Sequence, residues 1–513
     1  MAVTAPSVER LPGLRRVPPR WMIFGTALLG LLGVSLWLRF TTPSSPQPAR
    51  TALRPNSVAV LPFLNTNPDS ADDYLGYGLA AELTRGLDRL PGLRVAPRSS
   101  AFALGRERRN QEPGTIGRRL GVGTVLQGNV LRSKDRLRIT ARLVDVDEGF
   151  DLWSETYERV PADLLLVQDE IEQALADMFR VRRDTLSSGG GPALTRSLPA
   201  YDAYLAARYL LDQHTPESTR RAISYLSWAT HLDSAFVQAQ VALAEAHLRR
   251  SGVEGVAPKV AIPLAQAAAA RAFLLDSTLA ELHMVLGTIH FLYDRNWRLA
   301  DREFRRAVEL GPGAPDLYPP YARFLLAMGR NDEALAAIER ALSLSPTAPR
   351  LLEQLGWHHL YTRQYPQARE ALWRAIALDS TAWRPHFYLA QVEEALGNYS
   401  EAVAQLQTPL GLAAEYDEVP AAVGQIYAAS GRTDEARAIL VRLLEEAKQE
   451  YVSPYVIASL QASLGQRRQA FASLDRAVKE RSEQLPYLRI DPRLDSLRAD
   501  PRFARLLRQL RLP

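Results

Sequence analysis

The sequence predicts an α/β domain followed by an all-α solenoid of paired helices, with one membrane-spanning helix ahead of both. Three observations carry that reading: an uncharged apolar stretch near the start, strand and helix patterns in turn from residue 56 to 185, and small residues that recur every 34 positions further on. At 513 residues the chain exceeds what one core holds. Its 47% hydrophobic and 23% charged content is that of ordinary globular material. It has no cysteine, which excludes a disulfide framework, a thiolate zinc site, a catalytic thiol and a lipid-modified cysteine anchor. The formal charge is +5, but the arginines lie singly beside acids, as in Arg302-Glu303 and Glu339-Arg340. That pattern reads as solvated helix faces with local ion pairs, not as a nucleic-acid surface.

Residues 21–38, WMIFGTALLGLLGVSLWL, carry no charge. As a helix they span about 27 Å, close to the hydrocarbon thickness of a bilayer. Trp21 and Trp37 sit at the two ends, where amphipathic rings favour the interface. Arg10, Arg15, Arg16 and Arg20 precede the stretch against a single Glu9, so the positive-inside rule makes residues 1–20 a cytoplasmic stub and puts the bulk of the chain outside. A cleaved signal peptide is the alternative, although the apolar stretch is long for one and no A-x-A site follows it. Residues 39–55, rich in Pro, Ser and Thr, read as a tether.

From Ser57 the pattern changes. SVAVLPF (57–63) is β-rich, and Leu75, Leu79, Leu83, Leu87 and Leu90 form one helical stripe. LRVAP (93–97) reads as a second strand, and 116–120 as a short helix. Residues 122–132 and 136–146 pair as a hairpin about Lys134-Asp135; 151–159 adds a strand and 164–180 a closing helix. These blocks, with YLGYGLAAELTRGLDRL and IGRRLGVGTVLQGNVLR among them, resemble the TolB amino-terminal-like domain over residues 56–185. The resemblance implies a non-enzymatic α/β module of bacterial membrane-associated regulators that often precedes tetratricopeptide repeats. It implies no catalytic residues. The sequence departs from the family at Tyr77, where an acidic residue usually precedes the glycine. Gly121-Val122-Gly123 enters a strand and lacks the lysine of a phosphate loop, so it reads as a turn. Residues 186–198 form a linker, with SSGGGP (187–192) as a hinge.

Beyond it, Ala334, Ala368, Ala402, Ala436 and Ala470 are 34 apart. Ala322, Gly356, Ala390, Gly424 and Ala458 precede each by twelve, at the position where two helices of a hairpin approach closely. The phase continues upstream with insertions, giving about eight helix pairs over residues 199–481. The positions resemble the tetratricopeptide (TPR) consensus. The full expectation is therefore an α/β domain followed by an all-α TPR solenoid, with one N-terminal transmembrane helix. Residues 482–513, with caps at Asp491-Pro492 and Asp500-Pro501, read as the terminal cap a solenoid requires.

No motif for a cofactor, a metal or a catalytic elbow appears, and the eight histidines lack ligand spacing. The TPR resemblance implies instead a concave groove lined by the first helix of each pair. Carried onto this register, the groove residues are Arg323, Arg350, Glu353, Trp357, Arg384, Phe387, Gln391, Gln425 and Tyr455. Arginine forks and aromatic rings anchor peptides by carboxylate pairing and buried area. The expected partners are a protein segment in that groove and a bilayer at residues 21–38, with no nucleic acid. The expected location is the bacterial inner membrane, facing outward. Three readings stay open: a non-enzymatic scaffold, a regulatory component whose output domain lies on another protein, and an unrecognised enzyme.

Overall fold

The computed structural model describes residues 54–512 apart from 68–71, 89, 91, 107–111, 134, 181–194, 214, 252–254, 408–415 and 417. The anchor and tether expected at 21–55 therefore lie almost wholly outside the described residues. Among those described, no helix is long and apolar enough to cross a membrane. Leu53–Pro513 forms one compact unit.

Its amino-terminal part is a small mixed sheet in the order β3-β1-β4-β5-β6, with β2 also on β4. The strands are β1 (Arg54–Val60), β2 (Leu64–Asn65), β3 (Arg94–Val95), β4 (Val122–Ser133), β5 (Arg136–Asp145) and β6 (Asp151–Arg159). β1 runs parallel to β3 and β4, while β4, β5 and β6 form an antiparallel meander. Central β4 is buried along most of its length, whereas edge strand β6 buries only Tyr157. Cross-strand pairs Arg138–Glu158 (3.5 Å) and Arg142–Asp151 (3.1 Å) charge that edge, which blunts further strand addition.

Helices α1 (Asp73–Asp88), α2 (Arg98–Arg106), α3 (Pro113–Leu120) and α4 (Leu164–Met178) complete this part. The leucine stripe of α1 is buried from Leu75 to Leu90. Gly121 ends α3 in the left-handed region (φ 66°) and leads into β4, so it is a helix stop and not a phosphate loop. Helix α2 has no counterpart in the sequence reading: at nine residues after Pro97 it is too short to show periodicity.

Eight helix pairs follow among the described residues: α5 (Leu198–Leu211) with α6 (Pro216–Leu232), α7 (Val237–Arg250) with α8 (Pro258–Leu275), α9 (Ala280–Ile289) with α10 (Trp297–Leu310), and α11 (Tyr318–Ala327) with α12 (Asn331–Leu344). Then come α13 (Pro349–Tyr361) with α14 (Tyr365–Leu378), α15 (Trp383–Ala395) with α16 (Tyr399–Gln407), α17 (Glu418–Ala429) with α18 (Thr433–Glu446), and α19 (Pro454–Ser463) with α20 (Arg467–Glu480). The 34-residue alanines are fully buried between paired helices. A Cβ on Gly287 would stand 2.7 Å from Phe304, and one on Gly356 2.5 Å from Leu372. Small residues here are a steric requirement. The turn between paired helices carries its own 34-residue register of left-handed residues: Arg295, Gly329, Arg363, Gly397, Gly431 and Gly465.

The hinge expected at 187–192 lies outside the described residues. The regions on either side of it share one apolar core running from Val58 to Ile289. Helix α1 lies on α5 so closely that a Cβ on Gly78 would stand 2.8 Å from Leu205. The Tyr74 hydroxyl donates to Asp202 (2.8 Å), Tyr77 to Asp212 (2.8 Å) and Tyr201 to Gln168 (2.9 Å). Burial would raise the Asp212 carboxyl, but Arg98, 3.2 Å away, and Arg208 outweigh it and hold it well below the carboxylate range. Tyr77, the departure from the family pattern, is thus an interface residue.

Replacing Gly356 by Val forces Leu372 off its site. The expected loss is about 1–3 kcal/mol of stability, read by denaturant unfolding, with Gly313→Ala, where an added Cβ meets nothing within 4 Å, as the near-neutral comparison.

Candidate functional site

The concave side of the solenoid surrounds a channel because the array closes on itself. The Tyr451 amide donates to the Gly255 carbonyl (3.3 Å), and Arg481 to the Tyr293 carbonyl (2.7 Å). The loop before the second helix of the second pair thereby meets the loop before α19, and the end of α20 meets the turn after α9. That turn, His290–Asp294, is a single π-helical step, a departure from α geometry that re-aims side chains. It seats Phe291 among Phe304, Phe324 and Trp297.

The C-terminal segment enters this channel. Its caps stand as the sequence indicates: Asp491 accepts from the Arg493 amide (3.0 Å) and Asp500 from the Arg502 amide (2.9 Å). Helix α21 (Pro501–Leu510) packs on the last pair through Phe503, Leu506 and Leu510. Residues 484–495 do more than cap. Tyr487 meets Phe291 (5.6 Å), Trp357 (5.4 Å) and Tyr361 (6.2 Å) edge-on. Asp491 is fully buried, takes the Tyr455 hydroxyl (2.9 Å) and pairs with Arg493 (2.7 Å). Burial pushes the Asp491 carboxyl up, but Arg493 overcomes this and holds it below its ordinary value. Arg363 pairs with Asp495 at 2.7 Å.

What the tail leaves open is a cavity of about 260 Å³, lined by Arg249, Arg323, Trp357, Trp383, Arg384 and Phe387 on the helices and by Glu483, Gln484, Tyr487 and Arg493 on the tail. The four arginines differ. Arg249 is paired with Glu245 (2.5 Å) and Arg493 with Asp491. Arg323 lies 4.8 Å from the Trp357 ring and donates to Gln354 (2.7 Å); Arg384 lies 5.1 Å from the Trp383 ring. Among the described residues neither Arg323 nor Arg384 has a carboxylate in ion-pair range. Two stacked, unneutralised guanidinium groups beside aromatic rings form a site suited to a carboxylate next to an apolar group.

Of the nine residues placed in the groove from sequence, Arg323, Trp357, Arg384 and Phe387 line this cavity. Arg350 is exposed. Glu353 is buried and takes its neighbour Gln354 (3.1 Å), Gln391 is buried, and Gln425 is buried and donates to Ser459 of the next pair (2.7 Å). Tyr455 is wholly covered by the tail it bonds. The reading missed Trp383, Glu483, Tyr487 and Arg493. Trp383 opens its helix one position ahead of the groove register. The tail residues carry no local sign that the chain turns back into the channel.

His283 and His386 are held in buried hydrogen bonds. His283 bonds Glu303 (2.7 Å) and the Ser277 carbonyl (2.9 Å), and His386 bonds Gln405 (2.8 Å). Among the described residues no three His, Asp or Glu are grouped to hold a metal ion.

The tetratricopeptide repeat family model matches residues 315–358, the two helices α11 and α12 and most of α13. The chain carries TPR repeats. A curated protein of Rhizobium meliloti (strain 1021), named "Putative adenylate cyclase 3", is 30% identical over 188 residues. The match covers 36% of this chain and about a third (32%) of that relative's length. Among solved structures, Pseudomonas aeruginosa pilF shows 20% identity, covering 41% of this chain and 91% of its own, at TM-score 0.32. PilW, a type IV pilus biogenesis factor, shows 19% identity over 40% and 91% at TM-score 0.34. A thermophilic TPR protein of Thermus thermophilus shows 22% over 38% and 98% at TM-score 0.32.

Burial pushes the Glu483 carboxyl up to about 8, with Glu418 adding and Ser251 opposing. The folded chain then holds a proton that the unfolded chain, at about 4.3, has released. The Glu483 contribution is complete below about pH 4.3 and is lost as pH rises through about 8. Glu483→Gln should flatten the stability profile across this window and raise the melting temperature at pH 8, read by thermal denaturation from pH 5 to 9.

Proposed function

We propose that this protein is a non-enzymatic scaffold that holds a polypeptide partner in the channel of its TPR solenoid. The single observation that carries the reading is the pair Arg323 and Arg384, each stacked on a tryptophan and neither in an ion pair among the described residues. A partner segment with an acidic residue next to an apolar or aromatic one supplies what both lack. The chain's own tail illustrates the fit: it brings Tyr487, an aromatic, into the same lining.

Residues 56–185 act in this reading as a TolB amino-terminal-like module, supported by the order of sequence blocks and by a mixed sheet with flanking helices. Residues 21–38 anchor the protein in a bacterial inner membrane, supported by the uncharged stretch and its arginine flank. The folded unit then lies outside the cytoplasm. A second reading has one observation in its favour, the 188-residue match to the Rhizobium meliloti relative. In it the protein is the sensory part of a cyclase-type regulator whose output lies on a separate protein.

Arg323→Ala with Arg384→Ala should lower recovery of the partner from crosslinked membranes by at least tenfold, while thermal unfolding of the variant stays two-state. Unchanged recovery from a folded variant contradicts the channel as the binding site. A reporter at Pro513 that is active only outside the cytoplasm is the expected topology; a cytoplasmic reporter rejects the outward placement.

A further inference from the structure

Second helices of the solenoid present their outer faces to solvent, and most carry charge there. Helix α10 exposes Arg298, Arg302, Arg305, Arg306 and Glu309; α12 exposes Asp332, Glu333, Glu339 and Arg340; α14 exposes Arg369, Glu370 and Arg374. Helix α8 breaks this rule. Its exposed positions are Lys259, Val260, Pro263, Leu264, Ala267, Ala270, Arg271 and Phe273 to Leu275. Val260 is 60% exposed and Leu274 86%. This is a mainly apolar stripe along the 18-residue helix, interrupted by Arg271, on the face turned away from the core. The preceding second helix, α6, adds exposed Tyr225 and Trp228. An outward apolar stripe of this kind marks an interaction surface.

We infer that α8 is the contact through which a second copy of this chain binds. Three observations select that occupant. The stripe is self-complementary about Ala267: with two helices antiparallel across a two-fold axis there, Val260 faces the partner's Leu274 and Leu264 faces the partner's Ala270, large against small near the centre. The charges at its ends also match. Lys259, exposed in the first turn and without an ion-pair partner among the described residues, meets the C-terminal end of the partner helix and its Asp276. The exposed surface is also large: Val260, Leu264, Phe273, Leu274 and Leu275 are each 46% to 86% exposed, more large apolar side chains than any other helix leaves open among the described residues. A bilayer surface is the competing apolar acceptor. Helices that lie in it carry a polar face rich in Lys and Arg, whereas α8 has only Lys259 and Arg271.

The chain contains no cysteine, so one introduced thiol reports without background. Full-length Ala267→Cys, oxidised in its membranes, should yield at least tenfold more disulfide-linked dimer than Ser343→Cys on the exposed face of α12. Adding Leu274→Glu to Ala267→Cys should remove that excess; Leu274 is so exposed that folding, checked by circular dichroism, is unaffected. Dimer equal to the Ser343→Cys comparison, or unchanged by Leu274→Glu, overturns the inference. So does a monomer whose fluorophore-labelled position 267 turns apolar only on adding phosphatidylglycerol vesicles, which assigns the face to lipid.

Discussion

Tyr487 stands where three parts of the chain must meet. Its ring touches Phe291 from the third helix pair and Trp357 and Tyr361 from the fifth, and it is carried there by the segment that follows the eighth. Edge-on aromatic pairs each add about 0.5–1.5 kcal/mol beyond their burial. Here they also close a ring, because a solenoid has contacts only between neighbours unless something crosses its axis. The buried Asp491, held by Arg493 and the Tyr455 hydroxyl, fixes the register of that crossing. Breaking such a buried pair leaves a charge uncompensated and costs about 3–5 kcal/mol. The shape of the cavity follows in part from where the tail lies, since Glu483, Gln484, Tyr487 and Arg493 form one side of its lining.

A second constraint works at the other end. The sheet and the first repeats share one core, and their interface is stitched by Tyr74, Tyr77 and Tyr201. Ser100 in α2 also bonds Ser345, at the end of the fourth pair. A load on the α/β part is therefore passed to the repeats through packed side chains. This suits a protein that relates an event near one end to occupancy of a channel at the other.

Much of this was legible in the residues. Period-2 and period-3.6 patterns located the strands and long helices, and small residues at 34-residue spacing located the pairs. The same small residues proved to be steric necessities, as Gly356 against Leu372 makes plain. The turn register from Arg295 to Gly465 was equally periodic and went unread because arginine replaces glycine at two of its six positions. The closure of the array was not legible. It rests on contacts between residues more than a hundred positions apart, such as Arg363 with Asp495 and Arg481 with Tyr293, and no local pattern encodes such pairs. Tyr455 and Gln425, at groove positions of the repeat register, are buried against Asp491 and Ser459, 36 and 34 positions further on.

The account turns on the channel holding another polypeptide beside the protein's own tail. A photoreactive residue at Tyr388, in the cavity lining close to both Arg323 and Arg384, tests this in native membranes. The account predicts adducts of two kinds, one with residues 484–495 of the same chain and one with a single other polypeptide at a segment joining acidic and apolar side chains. Adducts with the chain's own tail alone would contradict it.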